Sequence, residues 1–233
     1  MILITGASRG IGNYLADNLA AKSNFVIGVG RSKKEHDNTE WWEYRECDVS
    51  SDEQVNGLYR YVTEYLHQYE DTLDGVINCA GVASMNSFLL TPVETLDKLY
   101  RVNVRGTYLV SWYMARIMMV QNFGRIINFS TCAVPMGLEG ELAYVATKSA
   151  VEGMSRVMAK ELAPYGITVN TIAPQPTKTD LIGGVDTHKT DAIVNRTIAK
   201  QYGDMNEIVN TVEWIMKSPS NQITGSTVYI GGV

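Results

Sequence analysis

The sequence lacks the features that would assign it to a membrane, a nucleic acid or a metal. It has no run of about 20 apolar residues, so we expect no membrane-spanning helix. Its basic residues form no block or stripe and its formal net charge is -5, which disfavours nucleic acid as a partner. The three histidines are scattered without the spacing of metal ligands, so we expect no metal site.

Cysteine is also scarce. Cys47, Cys79 and Cys132 are far apart in the sequence and form no CxxC pair, which favours free thiols in a reducing compartment. The first residues, MILIT, are typical of a strand and lack the charged region and cleavage site of a secretory signal. We therefore expect a cytoplasmic protein.

Short apolar runs alternate with longer amphipathic stretches along the chain. This alternation predicts an α/β fold in one domain over 1–233: a Rossmann-like, doubly wound parallel sheet of about seven strands with helices on both faces. Ligands of such sheets bind at the carboxyl ends of the strands. The predicted strands are 2–5, 25–29, 42–47, 75–78, 125–129, 168–172 and 227–230, and the predicted helices are 11–21, 51–69, 93–120, 142–162 and 206–216.

The segment 175–203 differs from the rest of the chain. It is rich in threonine, glycine and charge, and its hydrophobic periodicity is weak. Such a segment near the ligand edge of a sheet is typical of a mobile loop that covers a substrate. We predict a substrate lid at about 175–203.

The segment TGASRGIG, residues 5–12, follows the first predicted strand and opens the first helix. Its glycines, Gly6, Gly10 and Gly12, have the spacing GxxxGxG. Glycine lets the backbone approach a pyrophosphate, and the free N–H groups and positive dipole end of the helix attract the anion. We expect a dinucleotide here, although a tight turn without a ligand has the same pattern. The other loop residues expected beside the cofactor are Ser8, Arg9 and Ile11.

The end of the second strand indicates which dinucleotide binds. An NAD site has a carboxylate there for the ribose 2′-hydroxyl, whereas this chain has Arg31. A guanidinium binds a 2′-phosphate well, and Arg9 of the glycine loop can reach the same group. We predict that Arg9 and Arg31 clamp the 2′-phosphate of NADP(H). Two solvated surface arginines, or Arg31 stacked on the adenine of NAD, remain as alternatives.

Further motifs carry a resemblance to a known family. The segment YVATK places Tyr144 and Lys148 on one face of a helix. Together with TGASRGIG, NCAG, RVNVRGTY, GRIINFST and the final ITGSTVYIGG, it makes the chain resemble the classical short-chain dehydrogenases/reductases over essentially its whole length. Within that family the sequence is most similar to the 3-oxoacyl-(acyl-carrier-protein) reductases and their relatives.

The resemblance implies roles for individual residues. Tyr144 would donate a proton to the substrate oxygen as hydride reaches the carbon. Lys148 would favour the phenolate of Tyr144 by its positive charge and would bind the nicotinamide ribose. Asn103 would hold a water in a proton relay behind Lys148. Further cofactor residues implied are Asp48 and Val49 at the adenine, Asn78, Ala80 and Gly81 at the end of the fourth strand and in the turn that follows, and Pro174, Thr177 and Thr179 at the nicotinamide.

The family's serine has no direct counterpart. At its usual distance before the tyrosine the sequence has Thr131, with Ser130 beside it. Neighbouring residues of an extended strand face opposite sides, so the two are not interchangeable. We favour Thr131, whose hydroxyl can donate to the substrate oxygen. Ser130 takes the role if the loop that follows is one residue longer than usual.

These residues predict an NADPH-dependent reductase that converts a carbonyl to a secondary alcohol. The substrate is either a 3-oxoacyl thioester or another ketone or alcohol, and a catalytically weak NADP-binding regulatory protein is a further alternative. Asn122 and Tyr165 occupy positions where carrier-protein reductases tend to have basic residues. The resemblance also implies a homo-oligomer, a tetramer or dimer, formed through the helices at 93–120 and 142–162.

Overall fold

A parallel sheet of seven strands forms the centre of the molecule in a computed structural model, which describes residues 1–32, 39–181, 183 and 187–233. The strand order is β3-β2-β1-β4-β5-β6-β7, and every paired neighbour is parallel. The predicted fold class is therefore confirmed. The strands are β1 (Ile2–Thr5), β2 (Val26–Gly30), β3 (Trp42–Glu46), β4 (Gly75–Asn78), β5 (Gly124–Phe129), β6 (Ile167–Ala173) and β7 (Thr227–Tyr229).

The helices of the described residues cover both faces of this sheet. Alternate residues of β1 show why: Leu3 packs into the core that includes residues of α2 and α4, whereas Ile2 and Ile4 pack into the opposite core with residues of α1 and α8. The helices are α1 (Gly10–Ala20), α2 (Asp52–Tyr69), α3 (Val93–Leu99), α4 (Thr107–Gln121), α5 (Ala133–Met136), α6 (Leu142–Leu162), α7 (Thr187–Val194) and α8 (Met205–Met216).

The helix predicted at 93–120 is not one regular α-helix. A π-helical segment, Tyr100–Gly106, joins α3 to α4. At its centre the buried Asn103 reaches across to the main chain of Val82, accepting from its N–H at 2.8 Å and donating to its carbonyl at 2.9 Å. These bonds tie the segment to the loop after β4, and π-helical turns of this kind are frequent at functional sites.

The region predicted as a lid contains regular structure that the sequence pattern did not indicate. α7 lies within 175–203, and Thr177 forms a parallel bridge with Gly203 at the base of the segment. Residues 182 and 184–186 of the predicted lid lie outside the described residues. The mobility of the segment stays a prediction.

Cys47, Cys79 and Cys132 are free thiols. Within the described ranges, no helix combines the length and apolar character needed to cross a membrane. Over the same ranges, no group of three or more acidic, histidine or cysteine side chains has the arrangement of a metal site.

Candidate active site

The glycine loop and the loop after β4 lie against each other at the carboxyl edge of the sheet. β1 and β4 are neighbours, although the connections that follow them run in opposite directions, and a crevice opens at such a switch point. A Cβ added at Gly6 would lie 2.8 Å from the main chain of Ala80, and one added at Gly12 would lie 2.4 Å from the carbonyl of Gly6. Only glycine permits this close packing at Gly6 and Gly12, and Gly10 has a φ of +58°, a conformation that glycine adopts without strain.

A cavity of about 440 Å³ opens above this loop. α1 starts at Gly10 without any side-chain cap, so its first N–H groups have no side-chain partner at the cavity. Uncapped N–H groups at a helix N-terminus suit a pyrophosphate, and the residues present therefore fit a dinucleotide. The predicted cofactor residues that line this cavity are Gly6, Ser8, Arg9, Gly10, Ile11, Gly12, Arg31, Asp48, Val49, Ala80, Gly81 and Thr179.

Both predicted clamp arginines line this cavity and are exposed. The Arg9 side chain is 73% exposed, and its Nε lies 3.9 Å from a carboxylate oxygen of Asp180, which is 65% exposed. An ion pair of this length between exposed groups contributes little, so Arg9 is available for another anion. Arg31 follows the last residue of β2 on the same cavity.

Sequence patterns did not identify Tyr44, whose hydroxyl contacts the turn after β2 that contains Arg31. The hydroxyl of Tyr44 in β3 donates to the carbonyl of Ser32 at 2.7 Å and hydrogen-bonds Ser8, while a Cβ at Gly30 would lie 2.5 Å from it. Tyr44 thereby fixes the turn after β2 against the glycine loop. The alternation of side chains along β3 could have indicated on which face of the sheet Tyr44 lies. The sequence does not reveal the register between β3 and β2, which decides what Tyr44 contacts.

Asp48 occupies its predicted place but is partly engaged. Its Oδ1 accepts from the N–H of Ser50 at 2.9 Å and from the Ser50 hydroxyl at 2.8 Å. The helix cap of α2 is Ser51, whose side chain accepts from the N–H of Gln54. Asp48 therefore shapes the turn before α2 and also lines the larger cavity.

A second cavity, of about 230 Å³, adjoins the first and shares Ile11, Cys79, Gly81, Thr179 and Leu181 with it. The two therefore form one continuous cleft along the carboxyl edge of the sheet. α6 and the end of β5 supply the reactive side chains of the smaller cavity. The predicted residues that line it are Ser130, Thr131, Tyr144, Lys148, Pro174 and Thr177, besides Ile11, Gly81 and Thr179.

Tyr144 and Lys148 meet in this cavity, as their spacing predicts. Lys148 Nζ lies 5.9 Å from the centroid of the Tyr144 ring and donates to the carbonyl of Phe129 at 2.9 Å. Burial lowers the pKa of Lys148 to about 8. Burial, and then the nearby Glu141 carboxyl, raise the pKa of Tyr144 well above its usual range. The tyrosine therefore holds its proton at neutral pH in the free protein.

Ser130 and Thr131 have different surroundings. The Ser130 hydroxyl donates to the buried carboxylate of Glu152 at 2.7 Å, and the hydroxyl of Tyr229 donates to the same carboxylate at 3.1 Å. Thr131 Oγ1 instead accepts from the N–H of Ala133 at 3.2 Å, and the hydroxyl lies close enough to Tyr144 to lower the pKa of the phenol against the effect of burial. This arrangement favours Thr131 as the hydroxyl beside the tyrosine.

The two predicted asparagines lie behind the cleft. A Cβ at Gly81 would lie 3.4 Å from both Asn103 Oδ1 and Lys148 Nζ, so Asn103 and Lys148 flank that glycine. Asn78, expected along the cofactor, is only 3% exposed and is absent from the described lining of either cavity. Its amide donates to Ser111 and Asn128, which holds β4 to β5 and α4.

The smaller cavity also has lining residues that were not predicted as site residues, among them Cys79, Cys132, Glu141 and Gln175. Burial raises the pKa of both thiols, to about 12 for Cys79 and about 11 for Cys132, so they are unreactive. Burial also raises the pKa of Glu141 to about 7. Its position three residues before Tyr144, on the same helix face, was the signal that could have identified it.

Known proteins resemble this chain over nearly its whole length. A family profile described as enoyl-(acyl carrier protein) reductase matches residues 6–232. The chain is 30% identical over 235 residues to the 3-oxoacyl-[acyl-carrier-protein] reductase FabG of Haemophilus influenzae, covering 99% of this chain and 96% of the relative. It is also 30% identical to D-erythrulose reductase of Gallus gallus, covering 99% and 93%.

Solved structures share the fold. A short chain dehydrogenase/reductase family protein superposes with a TM-score of 0.86 at 27% identity, covering 99% of this chain and 95% of the other. The structure titled "ElxO with NADP Bound" superposes with a TM-score of 0.87 at 25% identity, covering 98% and 96%.

Proposed function

The chain belongs to the short-chain dehydrogenase/reductase family, whose members bind a nicotinamide cofactor, and on this premise we propose that it reduces a ketone to a secondary alcohol with NADPH. One observation carries the proposal. Tyr144, Lys148 and Thr131 line a cavity that is continuous with the cavity above the glycine loop. A carbonyl beside Tyr144 is thereby next to a dinucleotide held on α1.

The larger cavity supports the choice of cofactor. The N–H groups that open α1 suit the pyrophosphate, and the exposed guanidinium groups of Arg9 and Arg31 suit a 2′-phosphate. When bound, NADPH supplies a hydride to the carbonyl carbon. Thr177 and Thr179, which line the cleft, would lie beside the nicotinamide end.

A residue that lines the smaller cavity donates the proton that carbonyl reduction requires. The Tyr144 hydroxyl, which keeps its proton at neutral pH because burial raises its pKa, donates that proton to the substrate oxygen. The Thr131 hydroxyl lies beside Tyr144 and has a single proton. With substrate bound, it donates its hydrogen bond to the same substrate oxygen as negative charge develops there. Lys148, protonated below its pKa of about 8, stabilises the phenolate that Tyr144 becomes. Asn103, held by Val82, positions the relay behind Lys148.

Two relatives support a ketone as the substrate. The names of two relatives describe reductases of a 3-oxoacyl-carrier-protein thioester and of D-erythrulose, and both substrates contain a ketone. A cleft that holds a hydride donor in one part and a tyrosine acid in the other can reduce a ketone.

Assembly belongs to the proposal as well. Tyr108 and Trp112 of α4 and Val157 of α6 are large side chains, 41% to 54% exposed. Apolar residues exposed along the predicted interface helices support a homo-oligomer, a dimer or tetramer. Light scattering during size-exclusion chromatography tests this, and a monomer at micromolar concentration would contradict it.

Turnover tests the proposed reaction. The purified protein is mixed with NADPH and, separately, acetoacetyl-CoA and a panel of simple ketones, hydroxy ketones and keto esters, and NADPH absorbance is followed with NADH in parallel. We expect NADPH oxidation with at least one ketone and a loss of about 10²–10⁴-fold in kcat for Tyr144→Phe. Tyr69→Phe is the matched control, because Tyr69 is exposed at the end of α2, outside the predicted interface helices. NADPH binding without turnover of any ketone would favour the regulatory alternative.

A further inference from the structure

An acidic side chain lies inside the substrate cavity. Glu141 is the N-cap residue of α6 and lines the cavity together with Tyr144, three residues further along the helix. Residues three apart on a helix share a face, so the carboxyl and the phenol lie side by side. The carboxyl is close enough to raise the pKa of both Tyr144 and Cys132. A ligand whose carbonyl contacts Tyr144 therefore has the Glu141 carboxyl next to it.

This carboxyl has no structural task within the described residues. The Glu141 side chain makes no capping bond to the first N–H groups of its helix. None of the side-chain hydrogen bonds or ion pairs of the described residues involves it. Its burial costs free energy, as its raised pKa of about 7 reflects. A half-buried carboxyl without a partner is explained if a ligand provides the partner.

The surrounding groups indicate a hydroxylated, uncharged partner. Ser84 lines the same cavity, and its hydroxyl, which accepts from the side-chain amide of Asn86, can still donate. A hydroxyl both donates and accepts, so it can pair with another hydroxyl and with a carboxyl in either ionisation state. A cationic ligand would instead meet the Lys148 ammonium in the same cavity.

We propose that Glu141 is a specificity-determining residue that hydrogen-bonds a hydroxyl group next to the substrate carbonyl, and that the substrates are hydroxy ketones. This inference rests on the proposed carbonyl reduction. An acyl chain that carries only methylene groups would leave the half-buried Glu141 carboxyl without a partner, and sites of that kind discriminate strongly against the ligand that lacks the hydroxyl.

A matched pair of ketones tests the inference. Hydroxyacetone and butanone differ only by a hydroxyl in place of a methyl group. We expect the wild-type kcat/KM to be about tenfold or more higher for hydroxyacetone. Glu141→Leu should remove this preference, and Glu141→Gln, which keeps an acceptor oxygen, should retain part of it. Glu139→Gln is the control, because Glu139 is an exposed acid in the same loop.

Three results would overturn the inference: equal kcat/KM for the two ketones in the wild type, a preference that survives in Glu141→Leu, or a stronger preference for dimethylaminoacetone, which would indicate a cation site.

A binding measurement distinguishes failure of this inference from failure of the proposed reaction. Ligand-observed NMR with the NADPH complex of the Tyr144→Phe variant reports recognition without turnover. Preferential binding of hydroxyacetone that depends on Glu141 supports the inference even if no ketone is reduced, and equal binding of both ketones overturns it.

Discussion

Lys148 of α6 donates a hydrogen bond of 2.9 Å to the main-chain carbonyl of Phe129, the last residue of β5. The bond ties the helix that carries Tyr144 to the strand end that leads into Thr131. It also gives the buried ammonium one of the partners that it needs. The relative position of the two hydroxyls at the cleft therefore depends on a lysine that the proposed reaction also uses as a charge.

The first prediction concerns how kcat/KM for NADPH depends on pH. Because burial lowers the pKa of Lys148 to about 8, its ammonium is present below that pH and is lost as the pH rises through it. We expect kcat/KM for NADPH, which reports ionisations of the free enzyme, to fall above a pH of about 8. Lys148→Met should lower the rate and remove this alkaline limb. A wild-type profile that stays flat well above that pH would contradict the assignment.

The second prediction separates the two neighbouring hydroxyls. Thr131→Val keeps the shape of the side chain but removes the donor at the substrate oxygen, so kcat should fall by roughly 10²-fold, whereas Thr131→Ser should keep activity. Ser130→Ala should leave kcat within a few-fold and lower the free energy of unfolding by about 1–3 kcal/mol, because the buried Glu152 carboxylate loses a donor. Steady-state kinetics and urea titration measure the two effects. The reverse pattern would assign the role to Ser130.

The third prediction concerns cofactor choice. Arg9→Ala and Arg31→Ala should each raise KM for NADPH by about tenfold and leave KM for NADH nearly unchanged, because only the former cofactor carries the 2′-phosphate. Since both arginines are exposed, added salt should weaken NADPH binding in the wild type more than in either variant. Arg60→Ala, an exposed arginine on α2, is the control. Equal use of NADH and NADPH by the wild type would overturn the clamp.

The fourth prediction links Glu141 to stability. The folded protein holds the Glu141 proton up to a pKa of about 7, whereas the unfolded chain releases it near 4.5. The wild type should therefore lose stability as the pH rises between these values, and Glu141→Gln should not. We expect Glu141→Gln to be more stable than the wild type by about 1–3 kcal/mol near pH 8 and equally stable near pH 4. Thermal melts at both pH values measure this, and a gain equal at both would contradict it; Glu139→Gln again serves as the control.

Local pattern was sufficient for most of the sheet. The strands begin and end within one or two residues of their predicted positions, because continuous apolar runs such as those of β1 and β4 suit only a sheet covered on both faces. α5 and α7 escaped prediction because one is a single turn and the other lies in a segment without clear periodicity. The π-helical segment also escaped, since it depends on a bond between Asn103 and the distant Val82.

The sequence by itself determined the parts of the site whose spacing is local. The glycines that open α1 lie within one turn, and Tyr144 and Lys148 share one helix face, so their relative positions follow from local backbone geometry. Tertiary packing decided the rest. Ser130 contacts Glu152, whereas Thr131 lies beside Tyr144. Asn78 is buried away from the cleft, and Glu141 lines the substrate cavity without a partner among the described residues. Each of these outcomes depends on which distant element fills the space beside the residue, and spacing along the chain carries no information about that.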